Sequence, residues 1–154
     1  MLRAELYYRN IRGLVGDLLL ISDGEYILEI KFCNDDKVIN SDIPILLKTD
    51  RQLRQYFVRE RQLFDIPLKP IGTDFQLSVW NELKKIPYGK TISYQELAHR
   101  VGNSNASRAV GNANGKNPIP IIIPCHRVIR KSGDLGDFGG GINIKRKLLE
   151  LEGK

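Results

Sequence analysis

Ser93-Tyr94-Gln95-Glu96-Leu97-Ala98-His99-Arg100-Val101-Gly102-Asn103-Ser104-Asn105-Ala106-Ser107-Arg108-Ala109-Val110-Gly111-Asn112-Ala113-Asn114 writes two short helices on either side of a tight turn. Ser93 and Glu96 have capping-box spacing, in which each side chain satisfies the other residue's orphan backbone amide. The helix they open runs through Leu97, Ala98 and Val101, and Gly102 stops it, because a left-handed C-terminal position suits glycine. Residues 103–105 make a polar turn into a further helix, from about Ala106 to Asn114. Two helices joined in this way form a helix-turn-helix. The second carries Ala106, Ser107, Ala109, Gly111 and Ala113, with one long side chain, Arg108, near its start. Small residues let a helix backbone approach another surface closely.

The flanks extend this pattern. Upstream, Thr73 and Gln76 again have capping-box spacing, and Phe75, Val79, Leu83 and Ile86 form one apolar stripe of a helix that Pro87 and Gly89 end. Downstream, residues 131–141 are rich in Gly and Asp and predict a flexible turn; Asn143 is expected to cap a last helix through Leu151, with Gly153 beyond it. Ahead of residue 70 the pattern changes. Residues 2–8, 14–22 and 25–33 predict three strands, with Asp23-Gly24 as the positive-φ corner of a hairpin. Residues 34–43 predict a polar loop, and 44–59 a helix with Pro44 in its first turn and Ile45, Leu46, Leu53, Tyr56 and Phe57 on its apolar face. Residues 64–68 predict a short strand before a linker at 70–72. The expectation is an α+β chain of two domains. Residues 1–70 would form a small antiparallel sheet with a helix, and 71–154 a mainly helical, winged-helix-like domain around the helix-turn-helix.

Composition bounds the function. With 154 residues, 42% of them hydrophobic, the chain can bury a core as one compact unit or two small lobes. It has no apolar run of about 18 residues and no signal-peptide core, which predicts an intracellular protein, cytoplasmic or nuclear, without a membrane partner. Two cysteines, Cys33 and Cys125, do not make a disulfide framework and fit a reducing compartment. Residues 1–70 hold 11 basic and 11 acidic side chains, whereas 71–154 hold 13 and 7, so the whole excess of +6 lies with the helix-turn-helix. Such a half points to an anionic partner, nucleic acid above all.

The chemistry is written in Ile119-Pro120-Ile121-Ile122-Ile123-Pro124-Cys125-His126-Arg127-Val128-Ile129. A thiol in an apolar setting has a raised pKa, and only a basic group close by makes it a nucleophile. The next residue is such a group, but neighbours on a strand point to opposite faces. His126 therefore reaches the sulfur only if the chain turns after Pro124, or if a water bridges the two.

Taken with Gly72-Thr73-Asp74-Phe75-Gln76, Val79-Trp80, Ile86-Pro87-Tyr88-Gly89-Lys90-Thr91, Ser93-Tyr94, Arg108-Ala109-Val110-Gly111, Asn117-Pro118, Gly139-Gly140 and Lys145 with Leu148-Leu149, this stretch resembles the O6-alkylguanine-DNA alkyltransferases, also called methylated-DNA-protein-cysteine methyltransferases. The first 70 residues match more weakly, mainly at Tyr56-Phe57 and Pro67-Leu68. The resemblance implies a stoichiometric repair protein that flips O6-alkylguanine out of duplex DNA and keeps the alkyl group on Cys125, with O4-alkylthymine as a second candidate substrate. His126 would be the activating base, working through a bridging water. Glu152 would orient it, Glu150 being the nearby competitor. Tyr94 would donate to a ring nitrogen of the leaving guanine, and Asn117 would brace the cysteine loop.

On the same resemblance the second helix of the motif enters the minor groove of double-stranded DNA. Arg108 takes the place of the extruded nucleotide, and Ala106, Ser107, Ala109, Gly111 and Ser93 are the surrounding DNA contacts. Tyr94, Val128, Phe138 and Gly139 would line the base pocket. Here Gly136-Asp137-Phe138-Gly139-Gly140 departs from the more usual tyrosine-containing form. Phe138 keeps an aromatic wall and Gly139 a backbone N–H, but no side-chain hydroxyl, which leaves the preference among alkyl groups open. Some members hold zinc in the first domain; with Cys33 its only cysteine and no histidine before His99, this chain is expected to hold no metal and no cofactor, and to act as a monomer. Cys33 then reads as an apolar strand-end residue. Two other classes remain: a damage sensor without chemistry, which would lack the acceptor cysteine, and a cysteine hydrolase using Cys125, His126 and Glu152.

Overall fold

The computed structural model describes residues 5–153. It divides into two compact units, residues 1–70 and 71–154. In the first, β1 (Tyr7–Gly13), β2 (Gly16–Ser22) and β3 (Ile27–Lys31) form an antiparallel sheet in the order β1-β2-β3, packed by α1 (Pro44–Phe57). β2 is central, and its residues Leu18 to Ser22 are all buried. Their core partners are Ile27, Leu46, Leu53 and Tyr56, each 0% exposed. Arg9 joins sheet to helix through Asp50, with Nε donating to Oδ2 at 2.8 Å.

Several boundaries differ from expectation. The strand expected at 2–8 lies at 7–13 and turns at Leu14-Val15; residues 1–4 lie outside the described residues. Val15 is 8% exposed, so a buried apolar turn residue imitates a strand. Gly13 closes the hairpin against Phe57, where a Cβ would come within 2.4 Å of the ring. The expected third strand stops at Lys31, which leaves Cys33 exposed beyond the sheet rather than as a strand-end core residue. The segment 64–68 makes one isolated bridge, Ile27 to Leu68, and no strand. Asp23-Gly24 does turn the second hairpin, with Gly24 at φ 105°.

The second unit begins with α2 (Asp74–Leu83), whose Thr73–Gln76 capping box is present in both directions. Val79, Leu83 and Ile86 face the core, but Phe75 is 40% exposed and does not belong to that stripe. Trp80 Nε1 donates to the Ala113 carbonyl at 2.8 Å and ties α2 to α4. The helix-turn-helix consists of α3 (Tyr94–Arg100) and α4 (Ser107–Gly115). Ser93 caps α3 by accepting from the Glu96 amide, while the Glu96 carboxylate takes Arg100 Nε at 3.0 Å. β4 (Ile92–Ser93) pairs in parallel with β5 (Val128–Ile129), Ile92 opposite Val128. This two-residue ladder fixes the start of α3 beside the chain that leaves the cysteine. The last helix, α5 (Ile142–Leu151), is preceded by Gly141 at φ 99°, not capped by Asn143, which lies inside the first turn and takes Arg146 instead.

Candidate active site

The chain does turn after Pro124, where Cys125–Arg127 form a 3₁₀ turn before Val128 is extended again. Its tight winding takes His126 out of the strand alternation that would have opposed it to the sulfur. Three observations explain why the chain turns there. Ile123 N donates to the Ile119 carbonyl at 3.0 Å, closing a tight loop in which Ile121 stands at φ 76°. A buried β-branched residue with positive φ costs about 1–3 kcal/mol, so something must hold it. Asn117 does so from both sides, its Nδ2 donating to the Ile123 carbonyl at 2.7 Å and its Oδ1 accepting from Ile119 N at 3.0 Å.

His126 is 0% exposed, and its Nε2 lies 2.7 Å from Oε2 of Glu152, which is also buried. Glu152 is the residue just past α5, and Glu150, the other candidate, is exposed. Arg127 forks onto the same carboxylate, Nε to Oε1 at 2.8 Å and Nη2 to Oε2 at 3.0 Å, and gives Nη1 to the Ile86 carbonyl at 2.7 Å. Gly89 N completes the set at 3.2 Å. A carboxylate so held is ionised, and it fixes the neutral imidazole with its proton on Nε2 and a lone pair on Nδ1. Burial pushes the His126 pKa down, and the charges of Arg127 and Lys145 add to that against the opposing pull of Glu152.

Burial raises the Cys125 thiol to about 11, partly offset by the Asn117 amide and the Lys145 ammonium. At neutral pH only about one molecule in 10,000 would hold the thiolate unaided. Lys145 itself is 0% exposed, donates to the Val128 carbonyl at 2.6 Å, and has its pKa lowered to about 8 by desolvation. Its ammonium lies 5.9 Å from the centre of the Tyr94 ring. Tyr94, first residue of α3, is half-buried. Its phenol pKa is raised by burial first and then by Asp137, which keeps it a proton donor. Gly136 passes so close that a Cβ there would meet the Tyr94 hydroxyl at 2.7 Å.

The fold thus brings Cys125, His126, Glu152, Asn117, Tyr94 and Val128 to one place. Of the remaining expected residues, Gly111 lies against the Tyr94 ring, which an added Cβ would meet at 3.6 Å, and Ser93 directly precedes Tyr94. Arg108 and Ala109 are exposed on the first turn of α4, Ala106, Ser107 and Gly111 are half-buried, and Val110 and Ala113 turn inward. Ser93 is used as the α3 cap. Phe138 is half-buried and Gly139 exposed, in the loop before α5. Arg127 and Lys145 join the cluster with no local signal beyond the helical spacing that puts Lys145 on the face of Leu148, Leu149 and Glu152 and so marks a buried amine. Among the described residues, no group of three His, Cys, Asp or Glu side chains is placed to hold a metal ion.

Comparison with known proteins identifies the family. Residues 74–154 match the family model described as the DNA-binding domain of 6-O-methylguanine DNA methyltransferase, and residues 6–70 match that of its ribonuclease-like domain. The methylated-DNA–protein-cysteine methyltransferase of Methanosarcina acetivorans is 45% identical over 96% of this chain and 99% of that protein. That of Haemophilus influenzae is 46% identical over 96% and 86%. The crystal structure of the Mycobacterium tuberculosis OGT protein in complex with DNA superposes with a TM-score of 0.87, at 46% identity, over 95% of this chain and 92% of that one.

Proposed function

Because this chain belongs to the methylated-DNA–protein-cysteine methyltransferase family, whose members repair O6-methylguanine in DNA by suicide transfer, we propose that Cys125 is its alkyl acceptor and that His126 and Glu152 activate it. The observation that carries this reading is the buried relay at a cysteine turn, Glu152 to His126 at 2.7 Å. The chain binds DNA, and α4 engages the minor groove as a monomer, with Arg108 filling the stack behind the flipped nucleotide.

The Cys125 proton passes through a water to Nδ1 of His126, giving an imidazolium that faces the Glu152 carboxylate. The sulfur forms a bond to the alkyl carbon while the carbon–oxygen bond breaks, and its electron pair stays on the guanine. Tyr94, held protonated, donates to the leaving base between Val128 and Phe138, and the Gly139 amide faces the base oxygen. O4-alkylthymine offers the same leaving oxygen. A thioether has no route back, so the reaction happens once per molecule. The high thiol pKa serves a single-use nucleophile, because it stays protonated and unreactive until the relay removes its proton.

Intact-mass measurement after mixing with duplex DNA containing O6-methylguanine tests the proposal. One permanent methyl addition, mapped to Cys125, is expected. Turnover without mass gain, or a label on Cys33, overturns it.

A further inference from the structure

Among the described residues, two buried side-chain polar atoms have no hydrogen-bond partner, Oδ1 of Asn114 and Nδ1 of His126. Both belong to residues that adjoin Cys125. Asn114, 3% exposed near the end of α4, donates from Nδ2 to the Cys125 carbonyl at 3.3 Å. A carbonyl only accepts, so this contact fixes which way the amide points and leaves Oδ1 as an unpaired acceptor. His126 carries its proton on Nε2 against Glu152, so Nδ1 is an acceptor too. Each orphan forfeits the hydrogen bond it would have kept in water, and native interiors rarely tolerate one, let alone two beside the same residue. The Cys125 thiol has one weakly donated hydrogen and cannot satisfy both. A water has two hydrogens, and buried waters typically take about three polar partners.

We propose that Asn114 is a positioning residue for proton removal from Cys125: its Oδ1 and Nδ1 of His126 hold the two hydrogens of one ordered water, whose lone pair thereby faces the thiol. This rests on the assignment of Cys125 as acceptor and His126 as base. When the S–H bond breaks, its proton goes to the water oxygen, and the water passes to Nδ1 the hydrogen already pointing there. The hydrogen held by Asn114 stays, and the water is whole again. Asn114 thus decides which hydrogen moves. The charged and titratable groups around Cys125 are His126 and Arg127 on its own turn, Lys145 on α5 and Tyr94 on α3, with Glu152 behind His126; none of them gives a hydrogen to Asn114 Oδ1.

The competing role is simple bracing of the Cys125 carbonyl through Nδ2, and the pH dependence separates the two. Asn114→Leu keeps the branched shape and removes both polar atoms. Single-turnover transfer from a duplex containing O6-methylguanine should slow by roughly tenfold or more at neutral pH. The rising limb of its pH profile should move up by about one unit. Added to His126→Gln, the substitution should change little, because the relay it serves is already gone. A lowered melting temperature with an unmoved pH profile, or rate losses that multiply with those of His126→Gln, would overturn the proposal. Should Asn114→Leu fail to fold, a high-resolution crystal structure of the unreacted protein decides. A water within hydrogen-bond distance of both atoms supports the assignment, and its absence ends it. Failure of the underlying assignment looks different, since His126→Gln would then itself leave the pH profile unmoved.

Discussion

The Glu152 carboxylate sits 2.7 Å from Nε2 of His126, and both side chains are completely buried. The same carboxylate is shared with the Arg127 fork, so one acidic residue sets the tautomer of the base and neutralises a buried guanidinium. Glu152→Gln should therefore show two effects at once. Breaking a buried charge pair from one side costs about 3–5 kcal/mol, and the melting temperature should fall accordingly. Loss of the carboxylate also removes what opposes the lowered His126 pKa, so the base weakens further and transfer should slow by about 10². That loss should shrink as the pH rises, when the thiol needs less help. Transfer rates measured across the neutral to alkaline range check this, and a profile parallel to that of the unmodified protein counts against the relay.

Cys125 should also govern stability in alkali. Its thiol pKa is raised from 9.0 to about 11 in the folded chain. The folded state therefore holds the proton more tightly, and this contribution is complete below the unfolded pKa and lost as the pH passes through 11. Two units correspond to about 3 kcal/mol. Denaturant unfolding between pH 9 and 11 should show that decline in the wild-type protein and a flatter curve for Cys125→Ser. Parallel curves would mean that the thiol is far less desolvated than its burial indicates.

Arg108 is exposed on the first turn of α4 and takes no part in the buried cluster. If it replaces the flipped nucleotide, Arg108→Ala should impair repair of duplex DNA far more than reaction with free O6-methylguanine. Only the duplex has to lose stacking, at a few kcal/mol per base. Equal losses on both substrates would place Arg108 in support of the fold or the thiol instead.

Gly136 is constrained by both its backbone and its neighbour. It stands at φ 72°, and an added Cβ would meet the Tyr94 hydroxyl at 2.7 Å and its ring at 3.2 Å. Gly136→Ala should destabilise by about 1–2 kcal/mol from the backbone alone, and should slow transfer by displacing the phenol. In a Tyr94→Phe background part of the clash disappears, so the destabilisation should be smaller. Additive stability losses in that double-mutant cycle would show that Tyr94 is not what the alanine strikes.

The caps of the helix-turn-helix and the Thr73–Gln76 box are legible in the sequence because each is a local device, set by residues within four positions of one another, whereas the turn at Pro124, which the sequence left open against a bridging water, is held by Asn117 from farther along the chain. Glu152 could be chosen over Glu150 only by resemblance; the reason for the choice, burial against His126 and Arg127, spans about 25 residues. No periodicity carries such a pairing. Lys145 and Asn114 escaped for the same reason, since each acts through a carbonyl on a distant segment. The errors are local too. Leu14-Val15 imitates a strand because a turn that buries Val15 on the core is apolar, and Asn143 has the composition of a cap although a glycine at φ 99° already starts α5. Phe75 matches the helical period but falls on the outward side.

The parts of the site enter the chain in an order that matters for synthesis. Tyr94 comes first, then the Cys125 turn, then Lys145, and Glu152 only after α5 has closed. Until that last helix docks, His126 lacks the carboxylate that fixes its tautomer and the thiol lacks the burial that lifts it to about 11, so a half-folded chain carries a sulfur more easily ionised than the finished one. Burial, and with it the shelter of the thiol from stray electrophiles, therefore comes only with the finished fold, and the speed of closure of α5 limits how long the sulfur stays open to them.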